Sequence, residues 1–317
     1  MNATGERLDI ERLRVLPVDP VPHPAQQPQV PKPRLVSPSH TRQGALSATR
    51  LPSFIAPGLD RRVTVSIAFV TISMRPGAPP LIVFIAALGD GGDVWKPVIS
   101  QLPGAAVFTY DRPGCGDAPA RPAPNPPLPF SAFADELATL LDERGVAEPF
   151  VLVGHSIGGS IARAFADRHP HRVAGLVFVD ASLSQSLTWP QTDFFVDGDG
   201  PGATTVDVIT GHVELLQTTP LNVPAVVLTR RRHWWIPNFE AIPHPALDDL
   251  WHVSQQILAR DWHAPLIVAE NSGHYVPLDA PDLVAQAIDG VARAIRNSTP
   301  VTLDARQIAK ASGTIRP

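Results

Sequence analysis

Six short apolar segments, separated by stretches with helical patterns, restrict the possible folds of this chain more than any other feature. They are L-I-V-F-I-A-A (81–87), A-A-V-F-T-Y (105–110), F-V-L-V-G (150–154), A-G-L-V-F-V-D (174–180), A-V-V-L-T (225–229) and P-L-I-V-A-E (265–270). Continuous apolar runs of this length are typical of strands buried on both faces, because a strand with one wet face alternates apolar and polar residues. The six segments therefore predict the interior strands of a sheet.

Helix patterns occupy most of the intervals between these strands. They cover residues 93–102, 130–145, 157–169, 246–261 and 280–296. Strands that alternate with helices of this length form βαβ units, in which the crossover is right-handed and the sheet is parallel. We therefore predict an α/β fold with a mostly parallel central sheet covered by helices on both faces. The alternating, β-branched segment 63–74 predicts edge strands of that sheet.

Proline content divides the rest of the chain. Residues 1–60 contain ten prolines, which lack the N–H donor and have a fixed φ, so we predict an extended or disordered arm there. The α/β domain then covers residues 61–298. Residues 299–317 follow the last predicted helix and are expected to be a flexible tail.

The composition excludes several classes of partner. The chain has 317 residues, of which 44% are hydrophobic, and a net charge of −4 from 26 basic and 30 acidic residues. This balance favours neither nucleic acid nor an anionic membrane as a partner. No signal peptide and no apolar run long enough to span a membrane is visible, so a cytoplasmic location is expected. The oligomeric state stays open.

Cofactor chemistry finds no support in the motifs. Cys115 is the one cysteine, so neither a disulfide framework nor a cysteine-based metal site is possible. The sequence contains neither a phosphate-binding G-x-x-x-x-G-K-[ST] motif nor an H-E-x-x-H zinc motif. We therefore expect no cofactor and no metal.

A serine between two glycines lies where the third predicted strand meets the following helix. Residues 154–158 read G-H-S-I-G, and the helix pattern begins directly afterwards. A turn tight enough to present the serine leaves no room for Cβ atoms at Gly154 and Gly158. Ser156 is therefore predicted to be an exposed nucleophile, with the N–H of Ile157 at the helix N-terminus available to a developing oxyanion.

With this motif and those described next, the sequence resembles the α/β-hydrolase family over roughly residues 63 to 297. The motif G-H-S-I-G-G is similar to the family's nucleophile elbow, and Y-D-R-P-G-C-G (110–116) is similar to its turn after the preceding strand. Later blocks, H-P-H-R-V-A-G-L-V-F-V-D and N-S-G-H-Y-V-P-L-D-A-P-D-L-V, complete the similarity. The resemblance implies a serine, an acid and a histidine in that order along the chain.

A general base must accept the proton of the serine hydroxyl, and imidazole titrates in the right range. His274 is the best of the eleven histidines, because its loop lies between the last strand and the last helix and so at the sheet edge that carries Ser156. His155 precedes the nucleophile and is expected to have a structural role.

The sequence offers several candidates for the acid that completes a triad with the serine and the histidine. The loop after A-V-V-L-T, where much of the family carries it, reads R-R-R-H-W-W-I-P-N-F-E and has no aspartate. Asp180, at the end of the preceding strand, is therefore predicted to orient His274, and Glu240, Asp248 and Asp249 remain alternatives. The basic run itself is typical of a solvated loop.

The second oxyanion donor is expected in the loop after the first central strand. Where family members commonly carry His-Gly, this chain has Ala86-Ala87, followed by Leu88 and a glycine-rich turn. The chemistry requires a backbone N–H and no particular side chain, so the N–H of Leu88 is predicted to serve.

The long interval between Asp180 and Pro224 predicts a lid at about 182–222, with a poorly ordered insertion as the alternative. Trp189, Phe194 and Phe195 are predicted to line a substrate pocket together with Tyr275. The expected activity is that of a serine hydrolase that cleaves a carboxylic ester, lactone or thioester of a small, apolar acyl compound. A C–C bond hydrolase with the same triad, or a non-catalytic protein that binds a small ligand, are the alternatives.

Overall fold

One sheet forms the centre of the structure. The computed structural model describes residues 65–67, 70–122, 126–182, 196–199, 202–232 and 245–316. The sheet strands in these ranges are β1 (Val65–Ile67), β2 (Val70–Arg75), β3 (Ala78–Ile85), β4 (Ala105–Asp111), β5 (Phe150–His155), β6 (Val173–Val179), β9 (Ala225–Arg230), β10 (Leu266–Ala269) and β11 (Gly313–Arg316). Two further short strands, β7 (Val196–Asp197) and β8 (Thr204–Thr205), pair only with each other among the described residues.

The predicted mostly parallel sheet is confirmed. Its strand order is β1-β2-β4-β3-β5-β6-β9-β10-β11. The six interior strands from β4 to β10 run parallel, and β1, β2 and β11 join antiparallel at the two edges. The order reverses between β3 and β5, so the crevice at their carboxyl ends is where α/β folds bind ligands.

Helices cover both faces of this sheet, as predicted. They are α1 (Lys96–Ser100), α2 (Phe130–Glu143), α3 (Ile157–Arg168), α4 (Val208–Gln217), α5 (Pro245–Asp261), α6 (Val276–Asp279), α7 (Pro281–Asn297) and α8 (Ala305–Lys310). The predicted helix 93–102 is a 3₁₀ turn, Gly92–Trp95, followed by α1.

Two hydrophobic cores lie on opposite faces of the sheet, and β3 shows how the chain builds them. Its side chains alternate: Val83 and Ile85 pack with α2 and α3, whereas Ile82 and Phe84 pack with α7. A strand that is buried on both faces needs apolar residues at every position, which is the cause of the continuous runs in the sequence.

The flexible tail expected at 299–317 is wrong for residues 305–316. Asp304 caps α8 by accepting hydrogen bonds from the N–H groups of Arg306 and Gln307, and β11 pairs with β10. Ile308 of α8 is 1% exposed and belongs to the core on the α7 side of the sheet. Burial of this side chain and the added β-ladder order the segment against the sheet.

The region expected to form a lid is described in part. Residues 183–195 and 200–201 lie outside the described residues. In the remainder, α4 packs against α2 and α3, with the ring of His212 edge-on to that of Phe130 at 5.2 Å between centroids. Among the described helices, none combines the length and the apolar character that crossing a membrane requires.

Candidate active site

Ser156 occupies a sharp turn between β5 and α3. Its φ of 53° and ψ of −120° lie outside the regular regions of backbone space, as a nucleophile elbow requires. A Cβ on Gly154 would lie 2.3 Å from the Gly158 oxygen, and one on Gly158 would lie 2.3 Å from the Ile85 oxygen. The two glycines are thus needed so that β3, β5 and α3 can approach closely around Ser156.

His274 and Asp180 form a hydrogen-bonded pair at the same edge of the sheet. The Nδ1 atom of His274 lies 2.7 Å from Oδ2 of Asp180. Asp180 directly follows β6, is fully buried and has a φ of 42°. Its N–H donates to the Leu228 oxygen at 2.8 Å, which fixes the backbone of the acid on the neighbouring strand β9.

Four further donors surround the Asp180 carboxylate. Oδ1 accepts hydrogen bonds from Thr229 Oγ1 at 2.9 Å, the Arg230 N–H at 3.1 Å and Trp251 Nε1 at 2.9 Å. The Arg230 guanidinium lies 3.1 Å from Oδ2. Burial alone would raise the pKa of Asp180, but the Arg230 charge and the hydrogen bonds from His274 and Trp251 lower it overall. The side chain is therefore a carboxylate at neutral pH.

Arg230, the first residue of the basic run R-R-R-H (230–233), does not lie in a solvated loop. A solvated loop was expected, but Arg230 is the last residue of β9 and is buried, with its guanidinium between Asp180 and Asp248. A guanidinium has five donors in a plane, so it can bind two carboxylates at once and is found in buried ion pairs for that reason. Arg231 and Arg232 are exposed.

His155 connects the elbow to the histidine loop. Its Nε2 lies 2.7 Å from the His274 carbonyl oxygen, and the two rings are 4.8 Å apart between centroids. Among the described contacts, no hydrogen bond joins Ser156 Oγ directly to the His274 ring. Catalytic hydrogen bonds of this kind are often long without substrate and shorten in the reacting complex.

The two predicted oxyanion donors are also placed near the elbow. The turn Ala87–Asp90 is closed by a hydrogen bond from the Asp90 N–H to the Ala87 oxygen at 3.1 Å, with Gly89 at a φ of 75°. Ile157 is the first residue of α3, so its N–H has no carbonyl acceptor within the helix. The close approach of Gly158 to the end of β3 brings this turn and the helix N-terminus together.

Comparison with known proteins agrees with the strand order and the elbow. A family model described as the alpha/beta hydrolase fold matches residues 80–213, which include Ser156 and Asp180. The chain has the α/β-hydrolase fold.

Solved structures and curated relatives share this fold. The α/β hydrolase superimposes on a thermophilic esterase from Thermogutta terrifontis with a TM-score of 0.51 and 20% identity, covering 73% of this chain and 98% of that one. It is 26% identical to the uncharacterized protein YqjL of Bacillus subtilis over 70% of this chain and 87% of that protein. It is 32% identical to the lipase LipV of Mycobacterium tuberculosis over 34% of this chain, which covers 40% of LipV.

The remaining predicted site residues are distributed as follows. Trp189, Phe194 and Phe195 lie outside the described residues, as does Glu240. Tyr275 is 39% exposed beside the His274 ring, at 5.9 Å between centroids.

The described alternatives for the acid are engaged elsewhere. Asp248 accepts a hydrogen bond from Arg230 at 2.8 Å, and Asp249 lies at the surface, 3.6 Å from Arg232. Of the described candidates, Asp180 is the one that contacts His274.

Sequence reasoning missed the residues that hold this α/β-hydrolase site in place. Arg230 and Trp251 bind the Asp180 carboxylate from positions 50 and 71 residues away along the chain. Arg112 and Asp197 bind the turn that carries Leu88. The Y-D-R-P-G-C-G motif contains Arg112 and is the one signal that could have directed attention to it.

We expect His155 to make the fold less stable in acid. Its Nε2 faces a carbonyl, its Nδ1 is buried without a partner among the described residues, and burial together with the nearby His274 lowers its pKa to about 3. An unfolded histidine accepts a proton below about pH 6.5, so the unfolded state binds more protons than the folded state between pH 6.5 and 3. The free energy of unfolding therefore falls as the pH decreases through this range.

The variant His155→Gln isolates this contribution, because glutamine can still donate to the His274 oxygen but does not titrate. We expect the free energy of unfolding of the parent to lose up to about 1.4 kcal/mol per pH unit more than that of the variant. Urea unfolding between pH 7 and 4 measures both slopes. Parallel slopes would show that His155 accepts its proton normally in the folded state.

Proposed function

We propose that this chain is a serine hydrolase that cleaves an ester-type bond, in a carboxylic ester, lactone or thioester, through an acyl-enzyme intermediate. Ser156 is the nucleophile, His274 the general base and Asp180 the orienting acid. The N–H groups of Leu88 and Ile157 form the oxyanion hole. The substrate is a small molecule with an apolar acyl group, and Tyr275, beside the His274 ring, lines its binding site.

The observation that carries this proposal is the contact between His274 Nδ1 and a buried carboxylate at the sheet edge of the elbow. A carboxylate that accepts the Nδ1–H leaves the lone pair on Nε2, where it can accept a proton from a hydroxyl. The same carboxylate then stabilises the imidazolium that forms. Relatives named as a lipase and as a pimeloyl-[acyl-carrier protein] methyl ester esterase support hydrolase chemistry.

In the proposed reaction, Ser156 Oγ attacks the substrate carbonyl carbon while His274 removes its proton. The carbonyl oxygen becomes an oxyanion, which the two N–H donors hold. His274 then protonates the leaving group, and the acyl group remains bonded to Oγ. Water, deprotonated by His274, attacks the acyl carbon in turn, and the acid product leaves as Oγ regains its proton.

One feature of the sequence favours a second candidate. Ala86 and Ala87 stand where the family commonly has His-Gly, so a hydrolase-fold protein that binds a small ligand without turnover is the alternative. A C–C bond hydrolase would use the same three residues as the first proposal, and the chemistry of the substrate alone distinguishes it.

Activity-based labelling tests the proposal. We expect a fluorophosphonate to label the full chain at one site, with peptide mapping to the segment that contains Ser156. A panel of esters, lactones and thioesters of graded acyl length, together with a β-diketone, then identifies the bond that is cleaved. An unlabelled, folded protein would contradict the serine hydrolase and favour ligand binding, whereas labelling with turnover of the diketone alone would favour the C–C hydrolase.

A further inference from the structure

A buried ion pair lies next to the turn that carries Leu88. Arg112, directly after β4, is 3% exposed, and Asp197, in the short strand β7, is 1% exposed. The guanidinium donates from Nε to Oδ2 at 2.5 Å and from Nη2 to Oδ1 at 2.8 Å, so the contact is bidentate. Buried charges are retained only when they are paired this closely, because their desolvation costs several kcal/mol per ion.

The ion pair stays charged. Burial alone would raise the pKa of Asp197, but the Arg112 charge and its hydrogen bonds lower it overall. Burial would likewise lower the pKa of Arg112, but the Asp197 charge raises it. A carboxylate close to an oxyanion hole would normally repel the developing anion, and its direct pairing with a guanidinium offsets that repulsion.

Arg112 also binds two carbonyl groups of the turn. Nη1 donates to the Ala86 oxygen at 2.9 Å, and Nη2 donates to the Ala87 oxygen at 2.5 Å. The Ala87 carbonyl and the Leu88 N–H belong to the same peptide group, and in a trans peptide these two point in opposite directions. Binding the carbonyl on one side therefore directs the N–H to the other side, and the cation polarises it as a donor.

Asp197 binds the next peptide group. Its Oδ1 accepts a hydrogen bond from the Gly89 N–H at 2.8 Å. The ion pair thus contacts three consecutive peptide groups of the turn, from Ala86 to Gly89. Since Ala86 and Ala87 have no polar side chains, hydrogen bonds that fix this stretch must be made through its backbone.

We propose that Arg112 and Asp197 are the positioning residues of the oxyanion hole. This inference rests on the proposed serine hydrolase activity. Neither side chain touches the reacting atoms; the pair acts through the Leu88 N–H by fixing the direction in which it points. The short strand β7 thereby supplies a residue on which the geometry of the hole depends.

The variant Asp197→Asn tests the proposal, because asparagine keeps the size of the side chain and can still accept from the Gly89 N–H but loses the charge that orients Arg112. We expect kcat per fluorophosphonate-titrated site to fall about 10- to 100-fold, since a misplaced donor loses most of its stabilisation of the transition state. We expect KM to change less than about threefold, because the ground-state carbonyl depends little on the donor.

A trifluoromethyl ketone provides a second readout that a purely structural role would not move. The ketone adds to the nucleophilic serine and forms a tetrahedral oxyanion, whereas the matching methyl ketone binds mainly as a ground-state ligand. We expect Asp197→Asn to weaken inhibition by the trifluoromethyl ketone at least about tenfold relative to the methyl ketone. The variant Arg112→Lys keeps the charge but cannot make the planar set of contacts. It should likewise weaken inhibition by the trifluoromethyl ketone relative to the methyl ketone.

Asp142→Asn is the matched control. Arg172 also binds two carbonyl oxygens, of Ala138 and Val146, and a carboxylate oxygen of the exposed Asp142, at the opposite end of β6 from Asp180. Removing the Asp142 charge should leave two values unchanged: kcat per labelled site, and the strength of inhibition by the trifluoromethyl ketone relative to the methyl ketone. If the parent is labelled but Asp197→Asn keeps both values, the positioning role is wrong even if the variant is less stable. If the parent itself is not labelled, the proposed hydrolase activity is what fails.

Discussion

Replacing Ser156 with alanine should abolish turnover, with kcat lower by at least about 10⁴-fold, and should remove fluorophosphonate labelling completely. The expected loss is large because Oγ is the atom that forms the acyl-enzyme, and no neighbouring group can replace it in the elbow. Alanine keeps the Cβ that the elbow already accommodates at a φ of 53°, so the backbone has no new reason to change. Steady-state rates on the best ester of the panel and in-gel labelling measure the two effects.

Ser160 supplies the matched control for this prediction. It lies one turn further along α3, is fully buried, and donates its hydroxyl hydrogen to the Ser182 oxygen at 2.8 Å. Ser160→Ala should remove about 1 kcal/mol of stability and keep the labelling stoichiometry. Labelling that persists in Ser156→Ala but disappears in Ser160→Ala would show that Ser160 is the nucleophile.

The sheet could be predicted because burial on both faces leaves a direct mark on the sequence. Strands such as β5 and β6 are apolar at almost every position, and few other local structures produce such runs. The edge strand β11 could not be predicted in this way. It contributes four residues, Gly313–Arg316, and its place depends on the ladder with β10 and on Ile308 of the six-residue helix α8.

The elbow could be predicted for a different reason, namely steric demand. Gly154 and Gly158 are needed because a Cβ at either would overlap backbone atoms, and this need is visible as a fixed spacing around Ser156. Asp180 was a weaker prediction, because a carboxylate at a strand end is common and its contact with His274 spans 94 residues of sequence.

The buried charged residues around the site could not be predicted from local sequence patterns. Arg230 belongs to a basic run that is typical of a surface loop. It can be buried because it pairs with two carboxylates from other elements, Asp180 and Asp248. Asp197 lies in a strand of two residues, so neither periodicity nor propensity distinguishes it from the rest of the 182–222 interval. Its importance is seen only once Arg112 and the turn at Ala87 are placed beside it.

Asp180→Asn should lower kcat by about 10³- to 10⁴-fold with a small change in KM. The amide cannot stabilise an imidazolium, and its NH₂ group can donate to Nδ1, which would move the ring proton to Nε2 and leave no lone pair facing Ser156. The loss also changes the balance of charge around Arg230, but Asp248 still pairs with that guanidinium, so the buried cation keeps a carboxylate partner. We therefore expect the variant to fold and to be labelled slowly by the fluorophosphonate.

The two neighbouring aspartates of α5 make this prediction specific. Asp249→Asn, at the surface beside Arg232, should keep the parent rate. Asp248→Asn removes the second partner of Arg230 and leaves the His274 contact in place, so we expect a loss of stability with less than about a tenfold decrease in kcat per labelled site. If Asp180→Asn keeps the parent rate while Asp248→Asn loses it by orders of magnitude, the orienting acid is on α5, and the hydrogen bond at Nδ1 seen here is not the one used in catalysis.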